Sequence, residues 1–366
     1  MLPDSPLMIK VPGKLMIAGE FAVLEEYQKL VVMAVDRFVF ATIKESRENR
    51  LSLETFNLND MEWHYESNAV RINTNDKRVQ FVEEAMTTVY TYLKENNITP
   101  GPFHLSIRSE LDDASGRKYG LGSSAAVVTS VVAAILQRFL LKKPSDSLIF
   151  RLAAISHVKT QGSGSGADVA ASSYGGFLQY ASFQADWLRS AYFEAESISE
   201  LVNREWPYFH VQPIKLPEDL YMCVGWTGMP ASTQQLVQKI SRLKTAQPPL
   251  YKQFLSNSEK AVSIFLNGIN QESPSLVIDG TKKNRQALAE VGSHAGVEIE
   301  TPALKTLCDL AEDYGGAGKP SGAGGGDCGI AFLPSREKAE KLTKAWEQAG
   351  IKPLNIVTSQ TGAIEI

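Results

Sequence analysis

The chain has 366 residues, of which 43% are hydrophobic and 21% charged, and 37 basic side chains stand against 41 acidic ones for a net charge of −4. That length fits about two domains. The composition excludes disorder as the main state, and a mildly acidic chain lacks the broad basic surface of a nucleic-acid binder. Cys223, Cys308 and Cys328 are too few and too scattered for a disulfide framework or a paired metal site. Near the start, Pro3, Asp4, Pro6 and Lys10 stand where a secretory leader has its apolar run. The most apolar stretch, residues 125–136, is too short to cross a bilayer. A cytoplasmic protein with no membrane or nucleic-acid partner is expected, and nothing in the chain signals an oligomeric state.

In chain order, residues 7–11, 30–43, 51–56 and 103–107 read as strands, rich in Val, Ile, Leu and Phe. Residues 78–95 interrupt them with Phe81, Val82, Ala85, Met86, Val89, Tyr92 and Leu93 at helical spacing. Residues 123–141 predict a helix apolar nearly all round, hence interior. Residues 146–158 predict a third, capped by Ser145 or Asp146. A short helix at 168–173 and a strand at 177–181 follow. A boundary is expected between 182 and 218, which gives domains 1–215 and 216–366. The second stretch alternates strands at 220–226, 328–333 and 354–357 with helices at 232–244, 256–267, 278–294, 301–314 and 337–349. Thr301 is read as the cap and Pro302 as the first helical residue of the fourth helix in that stretch. The fold class is α+β.

Glycine-rich segments carry the chemistry. Gly120-Leu121-Gly122-Ser123-Ser124-Ala125-Ala126 runs straight into the apolar helix. Glycines let backbone N–H groups approach an anion, the helix start adds partial positive charge, and a serine hydroxyl there can reach a metal ion. No Gly-Lys-Ser/Thr follows, so this is not a Walker loop. Upstream, a strand is read as ending at Pro12-Gly13 and presenting Lys14, a point charge suited to phosphate. Gln161-Gly162-Ser163-Gly164-Ser165-Gly166-Ala167-Asp168 sets a carboxylate at a helix start. Residues 315–329 hold eight glycines between a helix and a strand, which favours a loop packed closely on backbone or ligand over a free linker.

Together these segments resemble the GHMP kinase superfamily of galactokinase, homoserine kinase, mevalonate kinase and phosphomevalonate kinase. Lys10 to Leu24 is similar to its first motif, Gly120 to Ala126 to its phosphate loop, and Lys319 to Gly329 to its third motif. The resemblance implies a two-domain GHMP kinase fold, with an N-terminal domain like ribosomal protein S5 domain 2 and a ferredoxin-like C-terminal domain. ATP and Mg2+ are the implied cofactors, bound in the cleft between the domains. Pro12-Gly13-Lys14-Leu15, Gly19-Glu20-Phe21, the Gly162–Asp168 turn and Thr227-Gly228-Met229-Pro230-Ala231-Ser232-Thr233 are most like the bacterial phosphomevalonate kinase branch. That branch implies phosphomevalonate as acceptor.

On this resemblance Lys14 and Asp168 are the catalytic candidates. Lys118, Gly120, Leu121, Gly122, Ser123, Ser124 and Ala125 would bind the ATP phosphates, with Ser124 also on the metal. Lys10, Glu20, Ser163, Ser165, Ser232, Gly324 and Gly325 would bind the acceptor. Two departures stand out. Arg117-Lys118-Tyr119 precede the loop in place of the usual proline, and His157 stands where a mevalonate kinase carries a magnesium-binding glutamate. His157 is read as an ordinary helix-face residue. A phosphate monoester has a second pKa of about 6, so a strong base is not needed, and Asp168 is expected to fix Lys14 and the acceptor geometry. Mevalonate kinase is the nearest rival, and diphosphomevalonate decarboxylase shares the fold. A non-catalytic ligand sensor is the rival from another class, disfavoured by the joint presence of Lys14, Ser124 and Asp168.

Overall fold

The computed structural model describes residues 5–111, 119–229 and 233–366. The first strand, β1 (Leu7–Ala18), pairs antiparallel with β2 (Lys29–Glu45), joined by one turn of 3-10 helix at Ala22–Leu24. β1 does not end at Pro12-Gly13 as its sequence suggests. It passes through a bulge there, Pro12 facing Phe38 and Gly13 facing Val35. Proline cannot donate to a ladder, and a bulge is where a strand tolerates it.

Next come β3 (Arg50–Leu53), β4 (Leu58–Glu66) and β5 (Ala69–Ile72), then helix α1 (Gln80–Glu95) and β6 (Phe103–Ser109). Helices α2 (Ser123–Phe139), α3 (Asp146–Gln161) and α4 (Ala167–Tyr174) lead to β7 (Phe177–Ala181). Helices α5 (Ala185–Glu194) and α6 (Ile198–Asn203) precede β8 (His210–Ile214). Among the described residues these eight strands and β13 (Ile364–Glu365) form a nine-stranded sheet in the order β13-β1-β2-β6-β3-β4-β5, with β7 on β2 and β8 on β7. β13 is the last strand of the chain. Helix α2 packs on β1 and β2, and α1, α3 and α4 surround it. Its residues 125, 126 and 128–136 are all buried, which explains its lack of a polar face.

The second sheet takes β9 (Tyr221–Trp226), β10 (Ala317–Pro320), β11 (Cys328–Leu333) and β12 (Lys352–Leu354), in the antiparallel order β10-β11-β9-β12. Its helices are α7 (Thr233–Ala246), α8 (Pro248–Asn270), α9 (Pro274–Ala295), α10 (Pro302–Asp313) and α11 (Arg336–Gln348). Leu304, Leu307, Leu342 and Trp346 seal α10 and α11 onto one face of this sheet. The long hairpin α8–α9 covers the other face and touches β1 as well, so it joins the two sheets. Gly280 lets α9 close on α8, since a Cβ there would stand 2.6 Å from the Phe265 backbone nitrogen.

The chain end returns to the first sheet. β13 lies along β1, and the Gly176 N–H donates to the Ser359 carbonyl at 2.7 Å. Ser145 and Thr301 cap α3 and α10 as their sequences predict. Cys223, Cys308 and Cys328 are buried and not disulfide-linked. No helix among the described residues is long and apolar enough to cross a membrane.

Candidate active site

The site is built around the start of α2. Gly120 and Gly122 have φ of +80° and +79°, a region that other residues enter only with strain. Gly122 is the N-cap and no side chain caps the helix, so its first turn presents N–H groups to an anion. Leu121 is buried and anchors the loop in the core. Ser123 and Ser124 are half-buried, and Ala125 is buried behind them.

Lys14 lies along this loop. Its backbone N–H donates to the Leu121 carbonyl at 2.8 Å and its Nζ donates to the Gly120 carbonyl at 2.9 Å. A Cβ on Gly122 would stand 2.9 Å from Lys14 Cγ, and one on Gly13 would stand 2.6 Å from the Leu121 carbonyl oxygen. The glycines of the first two motifs therefore let β1 and the loop touch. This sets an ammonium beside the uncapped helix start.

Ser124 Oγ is 3.2 Å from His157 Nε2. His157 is buried in α3 and lies against the Phe81 ring at a centroid distance of 5.4 Å. It is not the ordinary helix-face histidine that the sequence suggests. It holds the hydroxyl that is expected to reach the metal.

Asp168 is half-buried in the first turn of α4, with Oδ1 accepting from the Val169 N–H at 2.9 Å. One turn later Ser172 Oγ donates to the Pro12 carbonyl at 2.8 Å, which fastens α4 to β1 two residues before Lys14. Residues i and i+4 share a helix face, so Asp168 sits on the β1 side of α4. No ion pair joins it to Lys14. The fixing of Lys14 by Asp168 is thus corrected, because the Gly120 carbonyl holds that ammonium. The turn before α4 is packed against β7 and the residues that follow it. Tyr180 donates to the Ser165 carbonyl at 2.5 Å, and a Cβ on Gly166 would stand 2.5 Å from the Phe183 ring. Ser165 Oγ accepts from the Ala167 N–H at 3.3 Å, while Ser163 is exposed.

Four further acceptor candidates, Lys10, Glu20, Gly324 and Gly325, contact groups of the protein itself. Lys10 Nζ sits over the Phe38 ring at 4.1 Å, four residues along the strand from Lys14. At 3.2–3.4 Å rise per residue that is about 13 Å away. Glu20 is buried and its carboxylate takes the fully buried Lys319 Nζ, so it does not line the cleft. In the third motif, β10 opens inside the glycine tract and forms a hairpin with β11 across the turn Ser321–Asp327. Gly325 donates its N–H to the Ile299 carbonyl at 2.7 Å, and a Cβ on Gly324 would stand 2.3 Å from that oxygen. Lys118 and Ser232 lie outside the described residues.

Sequence reading missed Asp327. Its φ is +52°, its N–H donates to the Met229 carbonyl at 2.6 Å, and its own carbonyl accepts from the Thr227 N–H and hydroxyl at 3.0 and 3.1 Å. Its carboxylate lies against the phosphate loop, for a Cβ on Gly120 would stand 2.7 Å from Asp327 Oδ2. Strained backbone of this kind gathers at functional sites. Burial pushes the neighbouring Cys328 thiol up to about 12, with Asp327 adding to the rise and Lys14 opposing it. That thiol donates to the Tyr119 carbonyl at 3.2 Å.

These elements place three glycine segments around one helix start. Residues 80–176 match the GHMP kinases N terminal domain, and residues 280–352 match the GHMP kinases C terminal family. The chain belongs to the GHMP kinase family and has its two-domain α+β fold; it is an ATP-dependent phosphotransferase. It is 32% identical to the phosphomevalonate kinase of Streptomyces sp. (strain CL190), over 96% of each chain. The Lin0012 protein of Listeria innocua superposes with a TM-score of 0.93 at 37% identity, covering 98% of this chain and 99% of that one. Streptococcus pneumoniae phosphomevalonate kinase, solved with phosphomevalonate and AMPPNP, superposes with a TM-score of 0.84 at 26% identity, covering 96% and 99%.

Proposed function

We propose that the protein is a phosphomevalonate kinase, transferring the γ-phosphoryl group of ATP to 5-phosphomevalonate to give 5-diphosphomevalonate and ADP in the mevalonate route to isoprenoids. The observation that carries this reading is Lys14 Nζ held 2.9 Å from the Gly120 carbonyl, beside an uncapped helix start. Full-length similarity to phosphomevalonate kinases supports the choice of acceptor.

The γ-phosphorus–oxygen bond to the β-phosphate breaks, and a bond to an acceptor phosphate oxygen forms. Such transfer needs in-line placement and charge neutralisation more than covalent chemistry. Loop residues 120–125 receive the ATP phosphates through backbone N–H groups and the helix dipole. Lys14 offsets charge on the transferred group. Lys118 and Ser232, both expected contacts from sequence, keep that role in this proposal.

No group of three or more His, Cys, Asp or Glu that could hold a metal exists among the described residues. Magnesium binds through substrate phosphates and water with only one or two protein groups. Ser124 would hold it, and when bound it neutralises charge on the phosphate chain. With the His157 proton on Nδ1, Nε2 would accept a hydrogen bond from the Ser124 hydroxyl and leave the oxygen lone pairs for the cation. The acceptor is already a dianion near neutral pH, since its second pKa is about 6. Asp168 therefore acts in acceptor placement, not as an obligatory base.

The identity of the product tests the reading. Phosphorus NMR of the reaction with phosphomevalonate should show two coupled resonances of a new diphosphate. A phosphate monoester formed from mevalonate, with no diphosphate from phosphomevalonate, would refute it.

A further inference from the structure

We propose that the buried Glu20–Lys319 ion pair is the positioning device that sets the third-motif turn against the phosphate loop. The inference rests on the kinase reading above.

Lys319 is fully buried on β10, and Glu20 is 3% exposed at the end of the first motif. Lys319 Nζ donates to Glu20 Oε1 and to the Pro320 carbonyl, the latter at 2.6 Å. Glu20 Oε1 also accepts from the Gly322 N–H at 3.3 Å, and Ser321 Oγ donates to the Met16 carbonyl at 2.8 Å. The near end of the turn Ser321–Asp327 is thus fastened to the first motif. Its far end is held by Thr227 and Met229, and there the Asp327 carboxylate lies against Gly120.

Stability alone does not account for this pair. Two buried ions cost more to desolvate than they regain unless every polar atom is satisfied, and apolar residues of similar volume often serve the fold as well. Here Glu20 Oε2 is buried with no hydrogen-bond partner. A leucine and a methionine would fill the space but could not hold the Gly322 amide. What the pair adds is the direction of the turn. Glu20 and Lys319 are positioning residues, since neither is exposed to a substrate.

The test is E20L/K319M, which removes both charges together and leaves no lone buried ion. The expected result is an unfolding midpoint within a few degrees of wild type and a kcat lower by about 10–100-fold. A shift of about 1 Å in a reacting group costs on the order of 10²-fold. KM for ATP should stay within about threefold, since the loop and α2 are untouched. A double variant with wild-type kcat would overturn the proposal. E20D carries the same test should the double variant not fold, because it keeps both charges and draws the carboxylate back by one methylene; wild-type kcat there would also overturn it. Hydrogen exchange on the unaltered chain gives a readout independent of turnover. The Gly322 amide should exchange far more slowly than an open peptide, and exchange at the open rate would contradict the pairing. Absence of wild-type turnover with phosphomevalonate would instead refute the proposed acceptor while leaving the exchange result to judge the pair.

Discussion

Ser124 at the start of α2 and His157 in the second half of α3 meet with 3.2 Å between Oγ and Nε2, and the imidazole lies against the Phe81 ring. The residue is buried, so its hydrogen bond is specific and not one of several exposed options. Outer groups that orient a metal ligand typically matter 10–100-fold in affinity or activity. His157→Phe keeps a ring against Phe81 and removes the acceptor. It should raise KM for MgATP by about 10-fold or more while the fold survives, as read by steady-state kinetics and thermal unfolding. Unchanged KM would separate His157 from Ser124 function.

Among the described residues, Lys14 is the cation whose side chain donates to a carbonyl of this loop. Lys14→Met should lower kcat by about 10²–10³-fold, the range for loss of one preorganised charge stabiliser. Because Lys14 is only half-buried, its unfolding midpoint should shift little. Wild-type kcat in this variant would remove the ammonium from the mechanism.

Gly122→Ala tests the contact between the first two motifs. The position has φ of +79°, and the added methyl would stand 2.9 Å from Lys14 Cγ. Backbone strain of this kind costs about 1–3 kcal/mol. The variant should lose stability by that amount and activity by more than that loss explains, because Lys14 must move. Chemical denaturation and kcat/KM, measured together, check both.

Asp168→Asn separates placement from base catalysis. A dianionic acceptor makes a base dispensable, so the acidic limb of the pH–rate profile should persist in the variant. Disappearance of a limb that wild type shows would assign the proton to Asp168.

Arg285 joins α9 to Glu300 at 2.6 and 2.9 Å, Asp309 at 2.6 Å and Glu312 at 2.9 Å. Burial alone would raise the Asp309 and Glu312 carboxyls. Hydrogen bonds from Lys305 and Arg285 to the first, and from Lys282 and Arg285 to the second, outweigh burial and hold both below their ordinary values. A depressed carboxyl contributes stability that is present above its unfolded pKa and is lost as pH falls through the folded one. Stability should therefore decline as pH falls below about 5, where unfolded carboxyls begin to take up protons. Arg285→Met should flatten that decline in denaturant titrations at stepped pH. An unchanged acid slope would show that the cluster does not set it.

Legibility in the sequence followed the reach of each signal. Helix α2 was readable because it is apolar all round, and β7 because its residues 177–181 lie between clear turns. β4 and β5 were not, since only Trp63, Val70 and Ile72 among their residues are buried and exposed polar positions hide the alternation. β10 was hidden by the glycines in and beside it, which read as loop but are needed for close packing. A Cβ on Gly316 would stand 2.2 Å from the Phe332 carbonyl, and one on Gly318 would stand 2.9 Å from Cys308 Cα. Lys14 and Ser124 were found through local patterns of glycine and serine. The Glu20–Lys319 pair spans 299 positions, and no local pattern announces such a contact. His157 had a visible position but no visible partner.

The central claim is the acceptor, and a coupled ADP-release assay tests it most directly. MgATP would be supplied with phosphomevalonate, mevalonate, homoserine or galactose in parallel. The account predicts turnover with phosphomevalonate alone, at about 1–100 per second as kinases commonly run. Turnover with mevalonate and none with phosphomevalonate would contradict it, and would return Asp168 to the role of general base.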